Sequence, residues 1–112
     1  MGQQAHHNVG YGFEVPENIK VDGIGGTQEI WDLVEDSFPL LEFNVAGYYW
    51  NNASVQPSII AIKSSMVEVY DYETIRINQI EHTSAELDEL DKLKNMLGIT
   101  SSDSWLAWIY TG

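Results

Sequence analysis

Two sets of carboxylates recur at helical spacing. Glu29, Asp32, Glu35 and Asp36 stand in one stretch, and Glu86, Asp88, Glu89 and Asp91 crowd another. On a helix, side chains three or four residues apart are neighbours, with Cβ atoms about 5–6 Å apart. Such carboxylates can ligate a cation, act as an acid and base pair, or present charge to a basic surface. Cation binding needs convergence. Helix geometry spreads Asp88, Glu89 and Asp91 apart, and no DxDxDG loop is present, so a calcium site is not expected. A glycosidase-like pair stays open in principle, but among seventeen Asp and Glu any single pair carries little information. The spacing does match the scale of phosphates along a nucleic-acid strand, so these arrays suit a basic groove that normally holds DNA or RNA.

Other reactive patterns are missing. The chain has no cysteine, which removes thiol nucleophiles, disulfides and thiolate metal sites. There is no GxSxG or HExxH motif. His82 follows Glu81 and invites comparison with a general base, but its place just before a helix start reads as simply polar. His6 and His7 lack a fixed third ligand. The glycine-rich turn at residues 22–27, DGIGGT, runs into a helix as phosphate loops do, yet it has no lysine, and Asp22 and Glu29 add negative charge. A plain turn is expected there, and an anion at residues 23–27 is left open. No cofactor and no metal are expected.

Seventeen acids against five Lys and Arg give a formal charge of −12 over 112 residues. That charge opposes direct capture of nucleic acid or of an anionic membrane. With 44% hydrophobic residues, four Trp, six Tyr and three Phe, the chain has the means to pack a core. The absence of cysteine, of a long apolar run and of a signal-like start points to the cytoplasm. On that expectation the sequon at residues 52–54 is only a turn.

The elements that must position these residues follow from periodicity. Residues 1–8 are polar and without period, and read as a flexible tail before a single domain over 9–112. Residues 9–15 alternate Val9, Tyr11, Phe13 and Val15 with Gly10, Gly12 and Glu14, the pattern of a strand whose glycine face admits a close neighbour or marks a bulge. Residues 28–38 form a helix with Ile30, Trp31, Leu33, Val34 and Phe38 inward, stopped by Pro39. Residues 40–50 return to strand. Residues 58–80 are the richest in β-branched side chains and read as the central hairpin of the sheet, turning at residues 71–74. Within it Ile60 and Ile62 have one parity and Val67 and Val69 the other, so a bulge or turn at Ser64 and Ser65 is needed to keep one apolar face. Thr83 and Glu86 make a capping box opening a helix with Leu87, Leu90, Leu93, Met96 and Leu97 inward, ended by Gly98. Residues 104–110 are apolar on both faces, as in a strand covered on each side.

The order β-α-β-β-β-α-β specifies an α+β domain: an antiparallel or mixed sheet of about five strands with two helices on one face, a ferredoxin-like variant. Its open face is expected to carry some of Tyr48, Tyr49, Trp50, Tyr70, Trp105, Trp108 and Tyr110, a residue class that anchors interfaces. The sequence thus points to a small, non-enzymatic binding protein that occupies a basic surface of a partner protein, such as a nuclease or nucleic-acid-binding protein. Charge and size alone place it beside nucleic-acid mimics, phage inhibitors and nuclease immunity proteins. The expected contacts are Glu29, Asp32, Glu35, Asp36, Glu86, Asp88, Glu89 and Asp91, with Tyr49, Trp50 and Trp108 as anchors. Two alternatives remain: a small-ligand or metabolic domain with a pocket between sheet and helices, and a structural subunit that self-assembles through its sheet. Either a monomer or a homodimer is compatible.

Overall fold

The computed structural model describes residues 5–15, 20–21, 24–45, 58–70 and 74–111. Around the long strand β1 (Ala5–Val15) the other elements follow as β2 (Lys20–Val21), β3 (Ile24–Gly25), α1 (Gly26–Ser37), β4 (Leu41–Val45), β5 (Ser58–Ile62), β6 (Val67–Val69), α2 (Ser84–Met96) and β7 (Ser104–Thr111). This is an α+β domain with a five-stranded antiparallel sheet and two helices. The short β2–β3 ladder, pairing Val21 with Ile24, leads into α1.

The centre of the sheet is β1, not the 58–80 region. Gly12 pairs with both Ala61 and Ser104, so β5 and β7 must lie on opposite edges of β1. His7, Asn8 and Val9 pair with both β6 and β7, which puts β6 on the β5 side. Ala5 to Asn8, read from sequence as part of a tail, thus begin the central strand. The expected hairpin is not formed either: β6 ends at Val69, and residues 77–79 make a single 3-10 turn instead of a return strand.

Between β5 and β6 the expected interruption is present as a 3-10 turn, Lys63–Ser65. From Gly12 to Val9 the central strand advances three residues, while its partner advances six, from Ala61 to Val67. The excess is odd, so side-chain parity flips and Ile60, Ile62, Val67 and Val69 share one face. Side chains hold the turn in place. The Tyr11 N–H donates to Ser65 Oγ at 2.9 Å, and that hydroxyl donates to the Ile62 carbonyl at 2.7 Å.

Both helices pack on one face. The main core joins Phe13 and Val15 of β1, Leu41 and Phe43 of β4, and Ile60 and Ile62 of β5 to Ile30 and Val34 on α1 with Phe38 just after it, and to Leu90 and Leu93 on α2 with Leu97 at its C-cap. The inward stripes are narrower than the sequence implies, since Trp31, Leu87 and Met96 are exposed. On the other face a smaller cluster joins Ile59, Ala61 and Trp108, with Met66 and Leu106 against it. Here the glycines of β1 have their use: a Cβ on Gly10 would come within 3.1 Å of the Trp108 ring and 3.2 Å of Met66. Among the described residues, no helix is long and apolar enough to cross a membrane.

Candidate functional site

The corner between α1 and β4 forms an open cleft. Pro39 cannot continue α1, and the Leu41 N–H donates to the Phe38 carbonyl at 3.1 Å to turn the chain into β4. Leu40 is pinned from two sides: its N–H donates to Glu89 on α2 at 3.2 Å, and its carbonyl accepts from the Lys63 N–H at 2.9 Å. Both walls of the cleft are therefore tied to the rest of the domain. It encloses roughly 400 Å³ including its open mouth, and is lined by Trp31, Glu35, Phe38, Phe43 and Lys63 among others. The Trp31 indole N–H donates to Glu35 Oε1 one turn further along α1, and the Trp31 ring lies 5.9 Å from that of Phe43 at 40°. Glu42 also borders the cleft, from a position whose side chain alternates to the other face of β4.

The acidic residues expected to act together separate into two groups. Glu29, Asp32, Glu35 and Asp36 are all exposed on α1. Of the four on α2 only Asp88 and Asp91 are exposed. Glu89 is half-buried and bonded to Leu40. Glu86 is 7% exposed and belongs to the capping box: the Thr83 N–H donates to Glu86 Oε1 at 2.8 Å, and the Glu86 N–H to Thr83 Oγ1 at 3.2 Å. The Ser64 hydroxyl donates to the other oxygen of Glu86. Chiefly the Ser64 hydroxyl, then the Thr83 N–H, hold this carboxyl below its ordinary pKa, while burial pulls the other way. Glu86 is therefore removed from the accessible acidic face, because it ties the start of α2 to the Lys63–Ser65 turn.

The aromatic residues do not form one exposed set. Trp108, an expected anchor, is 5% exposed over Gly10, and among the described residues neither its Nε1 nor the Nδ2 of Asn8 directly across the ladder has a hydrogen-bond partner. Trp105 is on the helix side, where it packs with Tyr11 and His82. Tyr49 and Trp50 lie outside the described residues, as do the sequon and Gly23. In their place the structure brings forward Trp31, assigned to the core by periodicity. Its exposure had no sequence signal, because Trp31 sits at the margin of an apolar stripe.

Serine, glutamate and histidine meet near the start of α2, but not as a relay. Ser64 donates straight to Glu86, and the His82 ring stacks on Tyr11 at 4.6 Å with its Nδ1 buried and without a hydrogen-bond partner among the described residues. A nucleophile is activated by a base that a third group orients, and that wiring does not exist here. No group of three or more metal-ligating side chains occurs among the described residues. Neither a family model, nor a curated protein, nor a solved structure matches this chain significantly.

Proposed function

We propose that this is a non-enzymatic binding protein whose α1 face occupies a basic surface of a partner protein. One observation carries the reading: Glu35 and Asp36 lie in the last turn of α1, a helix without a lysine or arginine. Carboxylates there face the negative end of the helix dipole, and Asp32 and Asp36 repel at i, i+4. On α2, by contrast, Glu86 and Glu89 are bonded into the fold, and a cation, Lys94, stands in the last turn. Glu35 and Asp36 thus carry charge that the helix itself does not favour, and cations of a partner would offset it. A basic groove of a nuclease or nucleic-acid-binding protein supplies them.

The double variant E35Q/D36N tests this. Removing two charges from the wrong end of α1 is expected to stabilise the domain by about 0.3–1 kcal/mol per site. A small domain then melts about 2–8 °C higher. The same variant, immobilised and challenged with a host lysate at ~150 mM salt, is expected to lose a basic protein that the parent retains, releases on a salt step and yields to competing DNA. D88N/D91N is expected to keep it. Equal capture by parent and E35Q/D36N would reject α1 as the docking face.

A further inference from the structure

We infer that the cleft beside α1 receives an arginine side chain of the basic partner, its guanidinium lying on the Trp31 indole and donating to the Glu35 carboxylate; this rests on α1 being the docking face. Trp31 is 42% exposed on a helix that buries its neighbours Ile30 and Val34. The ring is nonetheless held in one orientation, by the bond from its N–H to Glu35 and by Phe43 behind it. An immobilised ring loses little rotamer freedom on binding, so its contact energy is not spent on ordering it. Indole is also the best aromatic face for a cation.

The charges complete the match. Glu35 gives Oε1 to the indole, and a carboxylate with about four lone-pair sites keeps Oε2 for an incoming N–H. Exposed Asp32 and Asp36 flank the same helix face. Glu35 and Glu42 line the cleft against Lys63, two negative charges to one positive, so one guanidinium, not a run of charge, is the fitting occupant. A cleft of this openness takes the end of one side chain, whereas a cofactor-sized molecule needs a deeper enclosure. Guanidinium is favoured over ammonium because it is planar: it stacks on the indole while its N–H groups fork outward in the plane towards Glu35.

The experiment follows the indole N–H resonance of Trp31, assigned by its loss in Trp31→Phe. The protein is titrated at low salt with a short arginine-rich peptide and with a lysine-rich peptide of equal length and charge. The arginine peptide is expected to shift that resonance and to bind about two- to fivefold more tightly than the lysine peptide. Trp31→Leu is expected to abolish this preference while both peptides still bind in a salt-dependent way. E35Q is expected to weaken the arginine peptide more than the lysine peptide. Equal affinities in the parent protein, or saturation without movement of the Trp31 resonance, would overturn the arginine site and leave the acidic docking face standing. Failure of both peptides to bind at low salt would overturn the docking face and the arginine site together.

Discussion

Gly12→Ala is expected to be far more damaging than the same change at Gly10, costing about 3 kcal/mol or more. A Cβ built at Gly12 falls 1.9 Å from the Ile60 carbonyl oxygen and 2.7 Å from Ala61 Cα. These are backbone atoms of β5, so no side chain can swing away. The β1–β5 ladder would have to separate between Gly12 and Ala61, directly beside Phe13 in the main core. For a domain whose whole stability is of order 5–15 kcal/mol, such a loss leaves a large unfolded fraction on modest heating. Gly10→Ala is the informative contrast. Its new methyl meets the Trp108 ring at 3.1 Å, Ala61 Cβ at 3.2 Å and Met66 Cγ at 3.2 Å, all of them side-chain atoms. Small shifts of Trp108 and Met66 absorb much of that, and roughly 1 kcal/mol is expected. Urea midpoints for the two variants decide the matter, and equal midpoints would contradict the register around Gly12.

Glu86→Ala is expected to cost about 2–3 kcal/mol at neutral pH, from lost charge-assisted hydrogen bonds and a broken capping box. The alanine leaves the Thr83 N–H and the Ser64 hydroxyl without their partner. Glu86→Gln keeps an amide oxygen for Thr83 and is expected to cost less, so the pair separates shape from charge. The charge has a pH signature. The folded pKa of Glu86 lies below its ordinary value of 4.5, with the Ser64 hydroxyl as the main cause. On acidification the unfolded chain takes up the proton first. The stabilisation is therefore complete above the unfolded pKa and is lost as pH falls through the folded one. The stability difference between parent and E86Q is expected to be widest near neutrality and to shrink below about pH 4.5. A difference independent of pH over that range would mean that Ser64 and Thr83 do not hold the carboxylate.

How much of this was legible in sequence differs element by element. The α2 capping box was readable because its partners are three residues apart, and Thr83 and Glu86 adopt it as expected. The parity break at Ser64 and Ser65 was readable for a similar reason. Strand period is two, so Ile60, Ile62, Val67 and Val69 can share a face only if an odd number of residues is inserted, and the Lys63–Ser65 turn does so. Position within the sheet was not readable. The 58–80 stretch is richest in β-branched residues, yet strand centrality is decided by which edges are paired. Ala5 to Asn8 have no apolar alternation, and join β1 because β7 pairs with all four and β6 pairs with His7 and Asn8 as well.

The candidate site divides in the same way. Composition by itself determined the charge of −12, and helical spacing placed Glu29, Asp32, Glu35 and Asp36 along one helix, because both are properties of the local chain. Only the tertiary structure separated acids that fold the domain from acids left at its surface. Glu86 and Glu89 are engaged by Ser64 and Leu40, 22 and 49 residues away in sequence, and no local pattern encodes such partners. The same holds for the aromatic rings. Whether an indole is core or surface depends on what the fold brings against it, and here Gly10 lets Trp108 approach β1 closely while the α1–β4 corner holds Trp31 out beside Glu35.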